Sequence, residues 1–514
     1  MVKKALVLIL TAALLVGCKK SPVNDAPKGD VTGEQVGDGE QSDSETPDKE
    51  QEDNEESDIE PSDKEQADGG NGINPEDYVL MADGVIPEML FADFWIEKVK
   101  DPNRIQMTGE EIREWNQSYA SECEENTDSY YDYDEDDEPG MIGLADLKKM
   151  MEGSFYKPTK TVYDEAGNVI TEIRWKQLQN NCNYLGLKER NMIRYAITVA
   201  RDDIKMLPYN GIITTEVGNL KHCELQESTI LPNEPVMVLH TSEDGEWYYI
   251  LCTFTRGWIK AESVALCESA EQWKEANHPE AFLLVTGDKV VLEVDNTNAF
   301  TSELILYMGT TYPLVKYEDY DTTGAERAPY ECYIIKVPMR DENGKLTYEY
   351  AFVPVSRDVH VGYLEYTAAN MLTQLFKVNG DRYGWGGMHH ARDCSQYAME
   401  VYRCFGLYIG RNSYVQAAMP TTTYDLEGRT IEERKAVFEQ LQPGAIVYFP
   451  GHIMLYLGEH NGEFYVISAT GSMVPASSED GNMVSVQTCL ITSLSTKRGS
   501  GKTWLETISK IKVF

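Results

Sequence analysis

Arg392-Asp393-Cys394-Ser395-Gln396 follows the glycine-rich stretch Tyr383-Gly384-Trp385-Gly386-Gly387 in this sequence. After Cys394, apolar residues recur at helical spacing, and Gly406 then provides a stop signal. We therefore predict a helix that begins at Cys394. The unpaired N–H groups and the positive dipole end of a helix N-terminus favour a thiolate over a thiol. Cys394 is therefore the candidate nucleophile.

His452 is the candidate base for this cysteine. It precedes the apolar run 453–458, which ends in glycine and which we expect to be a buried strand. A third polar group normally orients such an imidazole, and the next predicted strand, 463–469, offers Ser468. His460 is an alternative, although it lies in a stretch typical of an exposed turn, Glu459-His460-Asn461-Gly462.

Residues 361–514 resemble an NlpC/P60 cysteine peptidase domain, of the family that cuts peptidoglycan stem peptides. The resemblance rests on three motifs in order, which are Tyr383 to Gly387, then Asp393-Cys394-Ser395 with Gly410-Arg411-Asn412-Ser413 downstream, then Gly451-His452 opening a strand that ends in Tyr456-Leu457-Gly458. It implies a papain-like fold in which Cys394 attacks and His452 is the base. It also implies that Tyr383 and the Cys394 backbone N–H hold the oxyanion.

The sequence departs from the family pattern at three positions. Gln396 and Gly410 stand where the family usually has glycine and proline. Ser468 stands where the orienting residue is usually histidine, asparagine or glutamine. A serine oxygen can accept the imidazole N–H but carries no charge, so we expect it to orient the base more weakly.

Length and composition bound the remaining possibilities. A chain of 514 residues predicts about three or four domains. The net charge of −39 is concentrated in acidic tracts at 25–77 and 130–138, and no basic stripe is present, so we do not expect nucleic-acid binding. The ten cysteines show neither a CxxC pair nor metal-ligand spacing. We expect no metal and no organic cofactor.

The N-terminus is typical of an exported protein. Residues 1–18 have the charged and apolar regions of a secretory signal and end in Leu15-Val16-Gly17-Cys18, which resembles a bacterial lipobox. The resemblance implies cleavage before Cys18, lipidation of that residue and an extracytoplasmic, membrane-anchored location. An ordinary signal peptide is the alternative, and it also implies export. Residues 19–76 are polar and acidic, and we predict a disordered linker.

The middle of the chain predicts three further regions. Residues 77–207 read as helical, with a capping box at Thr108-Gly109-Glu110-Glu111 and with Arg190, Arg194 and Arg201 at helical spacing. Residues 101–116 resemble the stabilising segment of multidomain NlpC/P60 proteins. Residues 208–272 resemble a bacterial SH3 module, and 273–360 resemble a poorer second copy. The overall prediction is an α+β chain, with two small SH3-like β-barrels and a helical segment before the papain-like domain.

This arrangement implies a substrate class. In relatives that trim free muropeptides, tandem SH3 modules precede the catalytic domain, and the first module closes one end of the cleft so that the substrate begins with a free amine. The resemblance then assigns Asp393 to that amine, Ser395 to a substrate α-carboxylate and Trp385 to the cleft wall. Glu227 is a second candidate acid, and a solvated loop charge is the alternative. We expect Trp247 and Trp258 to be core residues.

The resulting hypothesis is a peptidoglycan hydrolase that cleaves the γ-D-glutamyl–diamino acid bond of stem peptides or free muropeptides. Three alternatives are open. The same fold also carries amidases and acyltransferases. The SH3 modules could serve a wall-binding lipoprotein whose cleft is catalytically weak. Finally, Cys394 and His452 could be buried structural residues.

Overall fold

The computed structural model describes residues 78–122, 140–321, 323 and 327–514, with the backbone alone for 120–122. These residues belong to one compact unit, Gly72–Phe514. The signal sequence, Cys18, the acidic linker and the acidic tract at 130–138 lie outside the described residues. No helix in the described part of the chain is long and apolar enough to cross a membrane.

The N-terminal segment packs onto the last region of the chain. Its elements are α1 (Ala92–Ile96), β1 (Ile105–Met107) and α2 (Gly109–Glu122). Thr108 caps α2, because its Oγ1 accepts the N–H of Glu111 while the Glu111 carboxylate accepts the N–H of Thr108, which confirms the capping box. The buried Trp95 ring lies 5.4 Å from Tyr465. Asn116 Nδ2 donates to Gly406 O at 2.8 Å, so this segment buttresses the region that carries Cys394.

Residues 190–205 form strands, and the helix predicted there is wrong. The elements in this part are β2 (Met141–Gly143), α3 (Leu144–Gly153), α4 (Glu172–Asn180), β3 (Arg190–Met192), β4 (Arg194–Thr198) and β5 (Asp202–Lys205). Strand β4 pairs antiparallel with a later strand, Tyr195 opposite Met237. Its aromatic and β-branched residues suit a strand, Tyr195 to Thr198 are buried, and this pairing overrides the spacing of the arginines.

The strands β4 and β5 belong to a seven-stranded antiparallel sheet. The other members are β6 (Gln226–Ile230), β7 (Pro235–Thr241), β8 (Trp247–Cys252), β9 (Arg256–Lys260) and β10 (Val264–Leu266). The order is β10-β4-β7-β8-β9-β5-β6, which leaves β6 at an edge. Trp247 and Trp258 are 5% and 1% exposed, so both lie in the core as expected. The edge strand β6 is the part of this sheet that reaches the candidate site.

A second sheet follows in the region 270–361. Its elements are α5 (Ala270–Asn277), β11 (Phe282–Val285), β12 (Lys289–Val291), β13 (Ile305–Tyr307), β14 (Thr311–Val315), β15 (Cys332–Arg340), β16 (Leu346–Pro354) and β17 (Val359–Val361). The main sheet has the order β16-β15-β14-β11-β17, and β12 pairs with β13. Gly344 has φ +81° in the turn between β15 and β16, a conformation that glycine adopts without strain. That this region is a second SH3 module stays a prediction.

The C-terminal region places helices against one six-stranded antiparallel sheet. Its elements are β18 (Tyr366–Thr367), α6 (Ala368–Phe376), α7 (Cys394–Arg403), α8 (Ser413–Ala418), β19 (Thr422–Asp425), α9 (Ile431–Phe438), β20 (Ile446–Phe449), β21 (His452–His460), β22 (Glu463–Met473), β23 (Val484–Ser493), α10 (Trp504–Thr507) and β24 (Lys510–Val513). The order is β19-β24-β20-β21-β22-β23, and α7 packs against β21 and β22. The α+β class is therefore confirmed.

Candidate active site

Cys394 is the first residue of α7, as the sequence predicts. Asp393 is the N-cap, and its Oδ1 accepts the backbone N–H of Gln396 at 2.8 Å. Gln416 Nε2 donates to Ser395 O at 2.8 Å and fixes the first turn from the other side. The first turn of α7, which carries the thiol, is therefore fixed by the Asp393 cap and by the hydrogen bond from Gln416 to the backbone of Ser395.

His452 begins β21, beside the start of α7. Its Nε2 lies 3.1 Å from Ser468 Oγ, and Ser468 Oγ lies 2.9 Å from Thr470 Oγ1. Ser468 and Thr470 are buried on the same face of β22, since they are two residues apart in a strand. The ring of His452 is thus held through Nε2, which directs Nδ1 to the opposite side.

His460, the alternative orienting residue, lies elsewhere. Its Nδ1 contacts Lys98 Nζ at 3.0 Å, and its ring lies 5.3 Å from Phe94. It closes β21 at the end opposite His452. The geometry therefore places Ser468, and not His460, at the imidazole.

Burial raises the pKa of the Cys394 thiol, and the backbone N–H of Ile453 acts in the opposite direction, so β21 and α7 meet at the thiol. Since Ile453 directly follows His452 in β21, the backbone of His452 lies close to the thiol. Among the described contacts, no hydrogen bond joins the sulfur to the ring. Such bonds are often long in an enzyme without substrate and tighten when substrate binds.

Burial acts against the charged forms of both Cys394 and His452. Burial raises the pKa of Cys394 to about 12, and the negative charge of Asp393 acts in the same direction. Burial lowers the pKa of His452 to about 4, and the positive charge of Arg498 lowers it further. Desolvation therefore opposes the thiolate that the helix dipole favours, and it opposes the imidazolium of His452 as well.

Asp393 is held by a buried arginine. Arg411 Nη1 donates to Asp393 Oδ1 at 2.9 Å, and Nη2 donates to Oδ2 at 2.8 Å. The backbone N–H of Gly386 also donates to Oδ2 at 3.1 Å, and Ser395 Oγ donates to Oδ1 at 3.2 Å. Both carboxylate oxygens are therefore engaged, so a substrate amine at Asp393 would share them with Arg411.

The edge strand β6 forms one wall of the site. Arg411 Nε donates to Ser228 Oγ at 2.7 Å, and Gln396 Nε2 donates to Thr229 Oγ1 at 2.9 Å. Gln226 Nε2 donates to Gly386 O at 3.0 Å. The side chain of Gln396, which stands where the family usually has glycine, is 1% exposed and occupies the boundary between β6 and α7. Residues about 170 positions apart in sequence thus support the nucleophile together.

The glycine-rich stretch fits closely against this wall. A Cβ on Gly387 would lie 2.2 Å from Thr229 Oγ1, and a Cβ on Gly386 would lie 2.6 Å from Gln226. Both glycines also have positive φ, at 86° and 56°. Glycine is therefore required at these two positions by space and by conformation.

The other residues predicted from sequence surround the same point. The half-buried Tyr383 lies beside Cys394 and Asp393, whose charges add to burial in raising its pKa. Glu227 is half-buried on β6, and its charge acts on Arg411. The Trp385 side chain is 42% exposed, and its ring lies 4.5 Å from that of His222. The structure therefore brings Tyr383, Trp385 and Glu227 to the rim of the site around Cys394.

Several contributors were not assigned a role from sequence. Arg411 lies in one of the motifs, and Thr470 lies two residues after Ser468, so a strand-face argument could have found the second. Ser228, Thr229 and Arg498 carry no local signal. Among the described residues, no group of three or more His, Cys, Asp or Glu side chains is arranged to hold a metal ion.

Comparison with known proteins identifies two domains in this chain. Residues 380–493 match the NlpC/P60 family, and residues 224–260 match the SH3 domain of the SH3b1 type. The solved NlpC/P60 endopeptidase from Photobacterium damselae subsp. piscicida is 19% identical, with a TM-score of 0.65, over 85% of this chain and 98% of its own. At this identity the likeness shows the fold.

A second solved structure is more distant. An NlpC/P60 family protein from Bacillus cereus is 18% identical over 56% of this chain and 82% of its own, with a TM-score of 0.39. No curated protein matches this sequence.

Proposed function

Because this chain carries an NlpC/P60 domain, the domain of a cysteine peptidase family, and an SH3b-type domain, we propose that it cleaves the γ-D-glutamyl–diamino acid bond of peptidoglycan peptides. The observation that carries the proposal is the arrangement of Cys394 at a helix start beside His452, whose Nε2 lies 3.1 Å from Ser468 Oγ. The site then contains a nucleophile, a base and a group that orients the base, which are the three groups that acyl transfer requires.

The chemistry starts from an uncharged cysteine and an uncharged histidine. His452 Nδ1 takes the thiol proton as the Cys394 sulfur attacks the γ-glutamyl carbonyl carbon. The oxyanion accepts hydrogen bonds from the Cys394 backbone N–H and the Tyr383 hydroxyl. His452 then gives the proton to the leaving amine of the diamino acid. A water molecule, activated by the same ring, releases the acyl group and regenerates the thiol.

The groups around Asp393 suit the acyl part of a short peptide with a free amine. Asp393 and Glu227 are the acids nearest to Arg411, and Glu227 comes from the SH3 wall. Ser395 Oγ donates to Asp393 Oδ1 at 3.2 Å, and this hydroxyl would turn from Asp393 to donate to a substrate α-carboxylate. Since β6 stands against α7, we propose that it limits how far a glycan or a longer peptide extends on this side. A free muropeptide is therefore the preferred substrate.

The location of the protein is part of the same proposal. The sequence ending in Leu15-Val16-Gly17-Cys18 supports lipidation of Cys18 after export. A chain anchored there would face wall peptides outside the cytoplasm. Replacement of Cys18 by serine should release the protein from the membrane fraction of the producing cell, whereas unchanged fractionation would contradict the anchor.

The activity is tested with two peptides. The purified protein is incubated with L-Ala-γ-D-Glu-diaminopimelate and with its N-acetylated form, and the products are identified by mass spectrometry. We expect release of L-Ala-γ-D-Glu from the free-amine peptide, with N-acetylation lowering kcat/KM at least 10-fold. Equal cleavage of both would contradict the free-amine requirement. Cleavage of neither, or at another bond, would contradict the proposed function.

A further inference from the structure

Arg498 is a half-buried arginine beside the candidate active site, and it has no acidic partner among the residues that the structure describes. Its guanidinium carbon lies 4.3 Å above the centroid of the Phe449 ring. Its one side-chain hydrogen bond among the described contacts is long, from Nη2 to Pro450 O at 3.5 Å. None of the ion pairs in the described part of the chain includes Arg498. Most of the N–H groups of its guanidinium therefore have no hydrogen-bond acceptor within the described part of the chain.

The position of Arg498 is set by the same aromatic residues that enclose the base. The Phe449 ring lies 5.4 Å from that of His452, and the two residues face each other across β20 and β21. Trp504 closes the other side at 5.6 Å from His452. The guanidinium stacks on Phe449 and lies near enough for its charge to act on His452. Arg498 therefore borders the site on the His452 side.

This side of the site corresponds to the leaving group. Asp393, Arg411 and Glu227 lie on the α7 and β6 side, where the proposal places the acyl part of the substrate. His452 must protonate the departing amine, so that amine has to lie next to the imidazole. Arg498 lies on this side of the site, in the segment between β23 and α10.

We propose that Arg498 forms the binding site for a free carboxylate of the leaving diamino acid. A guanidinium presents a planar fork that matches a carboxylate, and stacking on Phe449 fixes the orientation of that fork before the ligand arrives. In a diaminopimelate peptide, either the C-terminal carboxylate or the side-chain carboxylate can occupy this site. This assignment rests on the proposed function, because it takes its leaving group from that reaction.

The test compares three peptides with the purified wild-type protein. These are L-Ala-γ-D-Glu-diaminopimelate, the same peptide amidated at its C-terminal carboxyl, and the same peptide amidated at its side-chain carboxyl. We expect amidation of the bound carboxyl to lower kcat/KM roughly 10- to 100-fold, the range of a charge-assisted hydrogen bond. The peptide that shows the loss identifies which carboxylate is bound.

The variant Arg498→Gln should cleave all three peptides at similar rates, with kcat/KM near that of the wild type on the poorer amide. Arg498→Lys, which keeps the charge without the fork, should retain part of the discrimination. Lys502→Gln is the matched control, since this exposed lysine lies in the same segment, and it should discriminate as the wild type does.

Two results would overturn the assignment. The first is wild-type cleavage of all three peptides at equal rates. The second is that Arg498→Gln lowers kcat/KM by the same factor, relative to the wild type, on all three peptides. The discrimination among them would then be unchanged, which would indicate a structural role. Either result leaves the peptidase function standing, since the wild type still cleaves. If the wild type cleaves none, the proposed function falls and the assignment falls with it.

Discussion

Gln396 Nε2 donates a 2.9 Å hydrogen bond to Thr229 Oγ1 and so joins the first turn of α7 to the edge strand of the seven-stranded sheet. The same amide donates to Glu400 Oε1 at 2.8 Å, and Gln396 Oε1 accepts from Arg411 at 3.2 Å. Every polar atom of this buried side chain is therefore used. The SH3b-type domain thus takes part in holding the nucleophile's helix in place.

Thr229→Val should weaken the attachment of α7 to β6. The substitution keeps the volume but leaves Gln396 Nε2 with one partner fewer, which costs about 1–3 kcal/mol when the donor is buried. We expect a lower thermal unfolding midpoint and a reduced kcat with KM nearly unchanged, because the helix start becomes less well positioned. Thr422→Val, at an exposed position on β19, is the control and should change neither quantity. Unchanged kcat in Thr229→Val would argue against a positioning role for the strand.

Ser468→Ala should lower kcat by about 10-fold, since one hydrogen bond that fixes the His452 ring is lost. KM should change little, because Ser468 is buried behind the imidazole and does not face the substrate. Thr470→Val, one step further along the network, should show a smaller loss in the same direction. Steady-state kinetics on the tripeptide measure both. Full activity in Ser468→Ala would show that packing by Phe449 and Trp504 orients the base without the serine.

The pH dependence of kcat/KM should report the environment of His452. Its pKa is lowered to about 4 by burial and then by Arg498, while Asp393 acts in the opposite direction. The acid limb should therefore lie well below the ordinary histidine value of about 6.5. Arg498→Gln removes a positive charge that disfavours the imidazolium, so the pKa of His452 rises and the acid limb moves to higher pH. A shift to lower pH in this variant would contradict the assigned direction.

The reactivity of Cys394 should show that the resting group is a thiol. Because burial and Asp393 raise its pKa to about 12, the thiolate fraction is small at neutral pH and grows about 10-fold per pH unit up to that value. Alkylation by iodoacetamide, followed at the Cys394 peptide by mass spectrometry, should accelerate in this way from pH 7 to pH 10. A rate that is already maximal at pH 7 would indicate the thiolate expected from the helix dipole.

The sequence predicts the local elements of the site and misses what holds them together. The helix after Cys394 and the strand after His452 are set by periodicity and by flanking glycines, which are local properties. The sequence does not predict the strands at 190–205, because the partner of β4 lies about 40 residues further along the chain. Arginines at spacings of four and seven residues do not distinguish a helix face from positions flanking short strands.

The electrostatics of the site also depend on distant residues. At an exposed helix start the dipole lowers the pKa of a cysteine, whereas burial raises it. The burial of Cys394 comes from tertiary packing, which the local sequence does not show. The contacts of Ser228 with Arg411 and of Thr229 with Gln396 join separate domains, so no sequence window contains them. Arg498 lies near the site because it stacks on Phe449, which β20 places beside His452, and the sequence alone does not show this contact.

The most direct test of the account is to trap the acyl-enzyme. The protein is mixed with L-Ala-γ-D-Glu-diaminopimelate, quenched in acid during turnover and digested, and the Cys394 peptide is examined by mass spectrometry beside a Cys394→Ala sample. We predict an L-Ala-γ-D-glutamyl thioester on Cys394 in the wild type, with no adduct and no hydrolysis in the variant. Turnover that persists in Cys394→Ala, or an adduct on another residue, would contradict the central claim that Cys394 attacks the γ-glutamyl carbonyl.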